Sequence, residues 1–252
     1  MNRSTIVHRV VLGACVAASI GTGAPCAAAG VAVAEASAAE DSAPLMPFPN
    51  GDPAHPVWIR MGRINVIPLE ALGPRQRAEI AEELARNGPA EVSDNDGLWV
   101  EPLPPLVAEV GQGTAGRLAF TPLRLDGLVL DGLRPLGAGQ FVDAHQGEPI
   151  LSAIRYWRRP DGIALSLMEN ALTSHSAVII VRELQNATVG KLPAQLLVQR
   201  SPRGRMRSVV LWSSPRASYT LTVDDDVDHP AQPRWNREWL LGIARQIAAR
   251  DR

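Results

Sequence analysis

Two kinds of charged cluster in this chain are of a type that could do chemistry. Arginines gather at Arg155, Arg158 and Arg159, and again at Arg200, Arg203, Arg205 and Arg207. Guanidinium groups hold phosphate or carboxylate through forked hydrogen bonds. Brought side by side, the two clusters would form an anion-attracting rim; set apart, they are solvated turns. Arg155, Arg158, Arg159, Arg203, Arg205 and Arg207 are therefore the candidate ligand- or partner-binding residues. The second cluster, Asp224-Asp-Asp-Val-Asp-His229, offers hard oxygen ligands of the kind that hold calcium. It lacks the spaced Asp-x-Asp-x-Asp-Gly pattern and the distal glutamate of a calcium loop. It reads instead as a solvated loop whose charge favours the N-terminus of the helix that follows. Asp94-Asn-Asp-Gly97 reads as a tight turn, so no metal is expected.

Nucleophilic chemistry has little support. No serine sits in a Gly-x-Ser-x-Gly elbow. Thr173-Ser-His-Ser176 places hydroxyls beside an imidazole, and His145 lies near Asp143 and Glu148. Neighbours along a loop seldom point at one another, and such runs more simply end strands. The chain shows no Gly-rich phosphate loop, no His pair at helical spacing and no paired carboxylates in a credible setting. The expectation is a non-enzymatic chain without a cofactor.

The arginines fall at the ends of strand-like runs. Ile150 to Trp157, Ile163 to Met168, Ala177 to Leu184, Leu192 to Gln199 and Met206 to Ser213 are short and apolar, and Ser218 to Val223 alternates with a period of two. Leu118 to Leu123 and Leu128 to Leu136 read as two further strands. Arg159-Pro-Asp-Gly162 and Ser201-Pro-Arg-Gly204 each place proline second and glycine fourth, the chemistry of a type I turn closing a hairpin. Ser214-Pro-Arg-Ala217 makes a third reversal. Strands joined by tight turns run antiparallel. A helix follows the acidic loop. Asn236 is its N-cap, Trp235 is placed to staple against Leu240, and Trp239, Leu240, Ile243 and Ile247 form its apolar stripe.

Ahead of the sheet, Pro74 to Asn87 carries a weaker helix with a stripe of Ile80, Ala81, Leu84 and Ala85 and a Glu82–Arg86 pair at helical spacing. Trp58 to Met61 and Ile64 to Ile67 are short strand candidates. Gly30 to Pro56, rich in Ala, Ser, Glu and Pro, reads as a tether, and Glu101 to Gly116 as a connector. The first residues have a basic start at Arg3, His8 and Arg9, an apolar Val10 to Ala24 and a small-residue site at Cys26-Ala-Ala-Ala29. That is the pattern of a secretory signal, shorter than a membrane span. An uncleaved anchor and lipidation of Cys15 are the alternatives. Cys15 and Cys26 both fall in this segment, so cleavage would leave no cysteine. The whole chain is near neutral at −1; removing Arg3 and Arg9 leaves 23 basic against 26 acidic residues, near −3. Such a balance does not point to nucleic acid.

Three runs, Leu128 to Leu136, Pro149 to Trp157 and Pro160 to Leu167, resemble the extracytoplasmic part of anti-sigma factors and MucB/RseB-type envelope-stress regulators. The C-terminal part, Ser208 to Trp212, Tyr219 to Leu221 and Trp239 to Ala244, is similar to the sheet-plus-helix domain that ends such sensors. The resemblance covers residues 128 to 248, without a sigma-binding domain or membrane helix. It implies a non-enzymatic periplasmic domain that binds protein or lipid. No residue role is carried over from it.

These readings give an α+β fold: an antiparallel meander with a C-terminal helix on one face, preceded by a smaller helix-bearing segment. The expected divisions are a signal at 1–29, a linker at 30–57, a small segment at 58–112 and the sheet and helix at 113–252. The expected function is a secreted or periplasmic binding protein, a regulator or sensor component of envelope signalling. Its partner would be an envelope or inner-membrane protein, anti-sigma-like in kind. The alternative is a carrier holding lipid or another apolar ligand between sheet and helix.

Overall fold

The computed structural model describes residues 43–48, 51–53, 56–93, 99–103, 106, 118, 120–125, 128, 130, 132–139, 151–174 and 176–251. The expected signal with Cys15 and Cys26, the Asp94–Gly97 turn, and His145 and His175 lie outside these residues.

The fold is α+β. Its strands are β1 (Leu45–Pro47), β2 (Trp58–Arg60), β3 (Ile64–Ile67), β4 (Ala90–Glu91), β5 (Arg134–Gly139), β6 (Ser152–Arg158), β7 (Ala164–Ala171), β8 (Val178–Val181), β9 (Ala187–Val189), β10 (Leu192–Arg200), β11 (Met206–Ser213) and β12 (Ala217–Val223). Helix α1 spans Pro74–Ala85 and α2 spans Arg237–Ala248. The main sheet has eight strands in the order β4-β10-β11-β12-β7-β6-β5, with β9 pairing the start of β10.

The sheet is not a simple antiparallel meander. β5-β6-β7 and β10-β11-β12 are antiparallel runs as expected, but they join through β12 and β7, with Leu221 opposite Leu167. β4 lies parallel to β10, and β8 leaves the sheet to pair in parallel with β3. The reason lies in the faces of β8. Ile179 and Val181 enter a second core with Ile59, Ile67, Leu72 and Ile80, while Ile180 lines a shallow pocket against Leu211 of the main sheet. A strand apolar on both faces is satisfied between two layers.

Two of the expected turns form with the bonds their sequences imply. Gly162 N–H donates to Arg159 O at 3.0 Å and Gly204 N–H to Ser201 O at 2.9 Å. Both glycines take positive φ, +92° and +79°, with open space around them, so backbone conformation alone requires them. At the sheet's far edge, β5 carries Pro135 and a bulge between Pro135 and Gly137. Both features blunt an edge against pairing with another chain.

Helix α2 is capped by Asn236, whose Oδ1 accepts Trp239 N–H at 3.0 Å. Leu240, Ile243 and Ile247 are 0–1% exposed against the sheet. Burying each contributes about 1.5–3 kcal/mol before entropy. Trp235 meets Trp239 edge-on, with ring centroids 5.0 Å apart.

Three expectations are corrected. Of the tether, Leu45–Pro47 is a strand paired with β2, and Phe48 is buried in the second core. In α1 only Ile80 of the expected stripe is buried, and Leu84 is 47% exposed. The helix turns Gln76, Ile80 and Glu83 inward instead, and Glu83 accepts Gln195 Nε2 from β10 at 3.4 Å. Finally, of the expected strand Leu118 to Leu123, residues 120–123 lie in no strand, and of Leu128 to Leu136 the residues from Arg134 on form the start of β5. Leu123 and Leu130 fill the core on the helix-bearing face, and the N–H groups of Leu128 and Leu133 close local turns.

Candidate functional site

The register brings both arginine-bearing hairpins to one end of the sheet. Arg158 is opposite Ala164, Leu165 opposite Val223, Val223 opposite Ser208, and Arg207 opposite Gln199. The acidic loop leaves β12 between the two hairpins, at that same end. Its Asp225 pairs with Arg159 of one hairpin and its Asp224 with Arg205 of the other.

Arg159 is 3% exposed and is not at a rim. Its Nη2 donates to Asp161 Oδ2 and Asp225 Oδ2, both at 2.7 Å, and its Nε to Asp161 Oδ1 at 3.0 Å. Its guanidinium carbon lies 4.9 Å from the Trp235 ring centroid and 5.5 Å from that of Trp239. Such stacking adds about 0.5–2 kcal/mol according to desolvation. Burial works against ionisation of Asp161, yet the bonds from Arg159 and Ile163 N–H outweigh it and hold that carboxyl below its ordinary range. Arg159 thus ties the β6–β7 turn to the approach of α2.

Other arginines hold two arms that flank the expected connector, residues 99–101 and residues 121–123. On the face away from α2, Val100 is 2% exposed and packs with Ile154, Tyr156 and Ala164. Asp224 accepts the N–H groups of Val100 and Glu101, each at 3.0 Å, one on each carboxylate oxygen. Burial raises the Asp224 carboxyl, and the two N–H bonds and Arg205 offset part of that. Arg205 Nη2 donates to Glu101 O at 3.1 Å and Asp224 Oδ2 at 3.2 Å, and Arg158 Nη2 reaches Glu101 Oε1 at 2.7 Å. Trp99 carries Arg205 and Arg207 over its ring, at 4.4 and 4.7 Å from its centroid. Arg207, fully buried, also donates from Nε to Gln199 Oε1 at 2.6 Å. Arg203 stands exposed at the tip of its turn.

On the helix-bearing face the second arm is held in the same manner. Arg155 Nη2 donates to Leu123 O at 2.5 Å, Arg216 Nη2 to Thr121 O at 3.0 Å, and Glu169 accepts Leu123 N–H. Glu169 is 0% exposed, with Arg155 Nη1 at 3.5 Å from its Oε2. Burial pushes its carboxyl up, against the pull of Leu123 N–H and Arg155. Beside it, Tyr219 Oη donates to Asp251 Oδ2 at 2.8 Å and its ring stacks on Trp212. Burial, and then Asp251, push the Tyr219 phenol well above its ordinary value.

Sequence reasoning named the arginines but missed Glu169, Trp99, Glu101 and Asp251. One signal for Glu169 was present: the period of two through Leu165 and Leu167 continues inward to 169. The partners of Arg158 and Arg205 lie 57 and 104 residues away and left no local mark.

The aspartates diverge. Asp224 serves the Val100 arm, Asp225 serves Arg159, Asp226 Oδ1 accepts Asp228 N–H, and Asp228 pairs with Arg237 at 2.7 Å. Among the described residues no three His, Cys, Asp or Glu side chains converge to hold a metal ion. Ser176 closes a turn by accepting Thr173 N–H at 2.9 Å. Among the described residues, too, no helix is long and apolar enough to cross a membrane.

A separate surface faces outward on the β1–β2 ribbon. Pro47 sits opposite Trp58 and Leu45 opposite Arg60, so all four share one face, while Met46 and Ile59 turn to the second core. Leu45 is 53% and Trp58 59% exposed.

No protein-family model, curated protein or solved structure matches this chain.

Proposed function

We propose that this chain is a non-enzymatic binding protein of the periplasm or secreted space, a regulator or sensor component of envelope signalling. Its partner is an envelope or inner-membrane protein, anti-sigma-like in kind. The observation that carries this reading is the outward face of the β1–β2 ribbon. An exposed tryptophan opposite Pro47, with an exposed leucine on its diagonal, is the kind of anchor that protein interfaces use. The arginine end of the sheet contributes less to such a surface, because its guanidinium groups serve the chain's own arms.

The carrier reading would require α2 to lift from the sheet, since Leu240, Ile243 and Ile247 fill the space an acyl chain would take. The test is crosslinked capture by the tagged full chain from its own cell envelope, comparing wild type with Trp58→Ala and analysing peptides and lipids together. A membrane-anchored regulatory protein captured by wild type and lost from the variant is the expected result. Stoichiometric lipid with no protein partner would replace this reading with the carrier. Equal capture by both proteins would remove the ribbon as its basis.

A further inference from the structure

The connector arm on the second face is held the way a receptor holds a peptide. Asp224 takes two successive N–H groups, Arg205 takes the carbonyl of Glu101, Arg158 takes its carboxylate, and Arg205 and Arg207 cover the face of Trp99. Val100 fills an apolar site made by Ile154, Tyr156 and Ala164. Among the described residues no backbone-to-backbone bond joins Trp99–Leu103 to the sheet, so side chains do all of the holding.

The Arg207 side chain and the backbones that carry Arg205 and Asp224 are fixed without the arm, whereas the Arg158 guanidinium is paired with Glu101 of the arm itself. Arg207 is bonded to Gln199 on the neighbouring strand, Arg205 closes the Ser201 turn through its backbone, and Asp224 follows β12 directly with its N–H on Ala164 O at 3.4 Å. The arm's bonds are partly open to water: the Arg158, Glu101 and Arg205 side chains are 34–40% exposed. A receptor with its backbone and Arg207 anchored in the sheet, and a segment whose outer ion pairs are solvent-screened while Val100 and the Asp224 bonds anchor it, make a pair that a matching segment can exchange.

We propose that this end of the sheet is a peptide-binding site occupied in cis by Trp99-Val100-Glu101, and that it accepts a partner's extended aromatic–aliphatic–acidic segment when the arm is displaced. The aromatic residue lies under Arg205 and Arg207, the aliphatic one enters the Val100 site, and the carboxylate meets Arg158. This site is distinct from the β1–β2 ribbon and does not rest on it.

The probe is a fluorescent peptide with the sequence of residues 99–103, Trp-Val-Glu-Pro-Leu, titrated by anisotropy into the full-length chain. The variant Trp99→Ala/Val100→Ala vacates the site and is expected to bind the peptide at least tenfold more tightly than wild type. Adding Asp224→Asn is expected to abolish that gain, and a scrambled peptide is expected not to bind. A folded double variant with no gain, or equal binding of the scrambled peptide, overturns the proposal. Should the double variant not fold, amide exchange in the wild type replaces it. Excess peptide is expected to speed exchange at Val100 and Glu101 while β11 and β12 stay protected, and no acceleration overturns the proposal. Because Trp58→Ala leaves this site intact, failure here and failure of the ribbon reading are told apart.

Discussion

Glu169, fully buried, receives the N–H of Leu123 on both carboxylate oxygens, at 2.9 and 3.2 Å. A backbone group 46 residues away is thereby satisfied by a side chain where a strand ladder would otherwise satisfy it. Removing the carboxylate takes the acceptor from that N–H and the nearby negative charge from Arg155, which keeps its bond to Leu123 O. Glu169→Ala is expected to cost about 3–5 kcal/mol in urea unfolding. Glu169→Gln keeps one acceptor, and its loss is expected to be about 1–3 kcal/mol. Equal losses for the two would show that the carboxylate is not what holds the arm.

The pH dependence follows from the direction of the same shift. A carboxyl raised on folding contributes stability that is full below its unfolded value, about 4.3 for glutamate, and lost as pH rises through the raised folded value. Glu169 and Asp224 both act in this sense. Asp161 acts in the other: its stability is present above the ordinary aspartate value and lost as pH falls through the lowered one. Urea melts of wild type and Glu169→Gln from about pH 4 upward should therefore show the difference moving in the glutamine variant's favour as pH rises. A difference that stays constant would refute this.

Arg159 is held by two carboxylates and two indole rings at once. Arg159→Ala leaves Asp225 short of its cation and is expected to destabilise by about 3–5 kcal/mol. Arg159→Lys should recover little of this, because an ammonium cannot make the forked pair with Asp161. A double-mutant cycle with Asp225→Ala reads the pair directly, and a coupling energy near zero would place the effect in packing alone.

Two local features of the chain carry their own tests. Asn236→Ala should lower stability by about 1 kcal/mol, and Asn236→Asp should recover most of that, since aspartate keeps the cap acceptor and loses only the exposed bond from Asn236 Nδ2 to Pro233 O. Gly162→Ala forces a side chain into a left-handed backbone at φ +92° and should cost about 1–2 kcal/mol, although the space around it is open. Thermal melts of the three variants decide both points. A neutral Gly162→Ala would mean that the turn relaxes.

The amino-acid sequence by itself determined the elements whose causes are local. β11 and β12, the two Pro-Gly hairpins and the capped helix α2 follow from alternation, from glycine's freedom at positive φ and from one side-chain cap, each acting within a few residues. Only the tertiary structure decided which apolar runs became strands. β5 begins at Arg134, late in the expected strand Leu128 to Leu136, while Met206–Ser213 is a central strand over its whole length. Tertiary structure likewise placed β12 beside β7, sent β8 to β3, and converted six candidate surface arginines into a graded set from buried Arg159 and Arg207 to exposed Arg203. Guanidinium groups were legible as residue types. Their partners were not, because a carboxylate or a tryptophan ring tens of residues distant acts through space, and no local period records it.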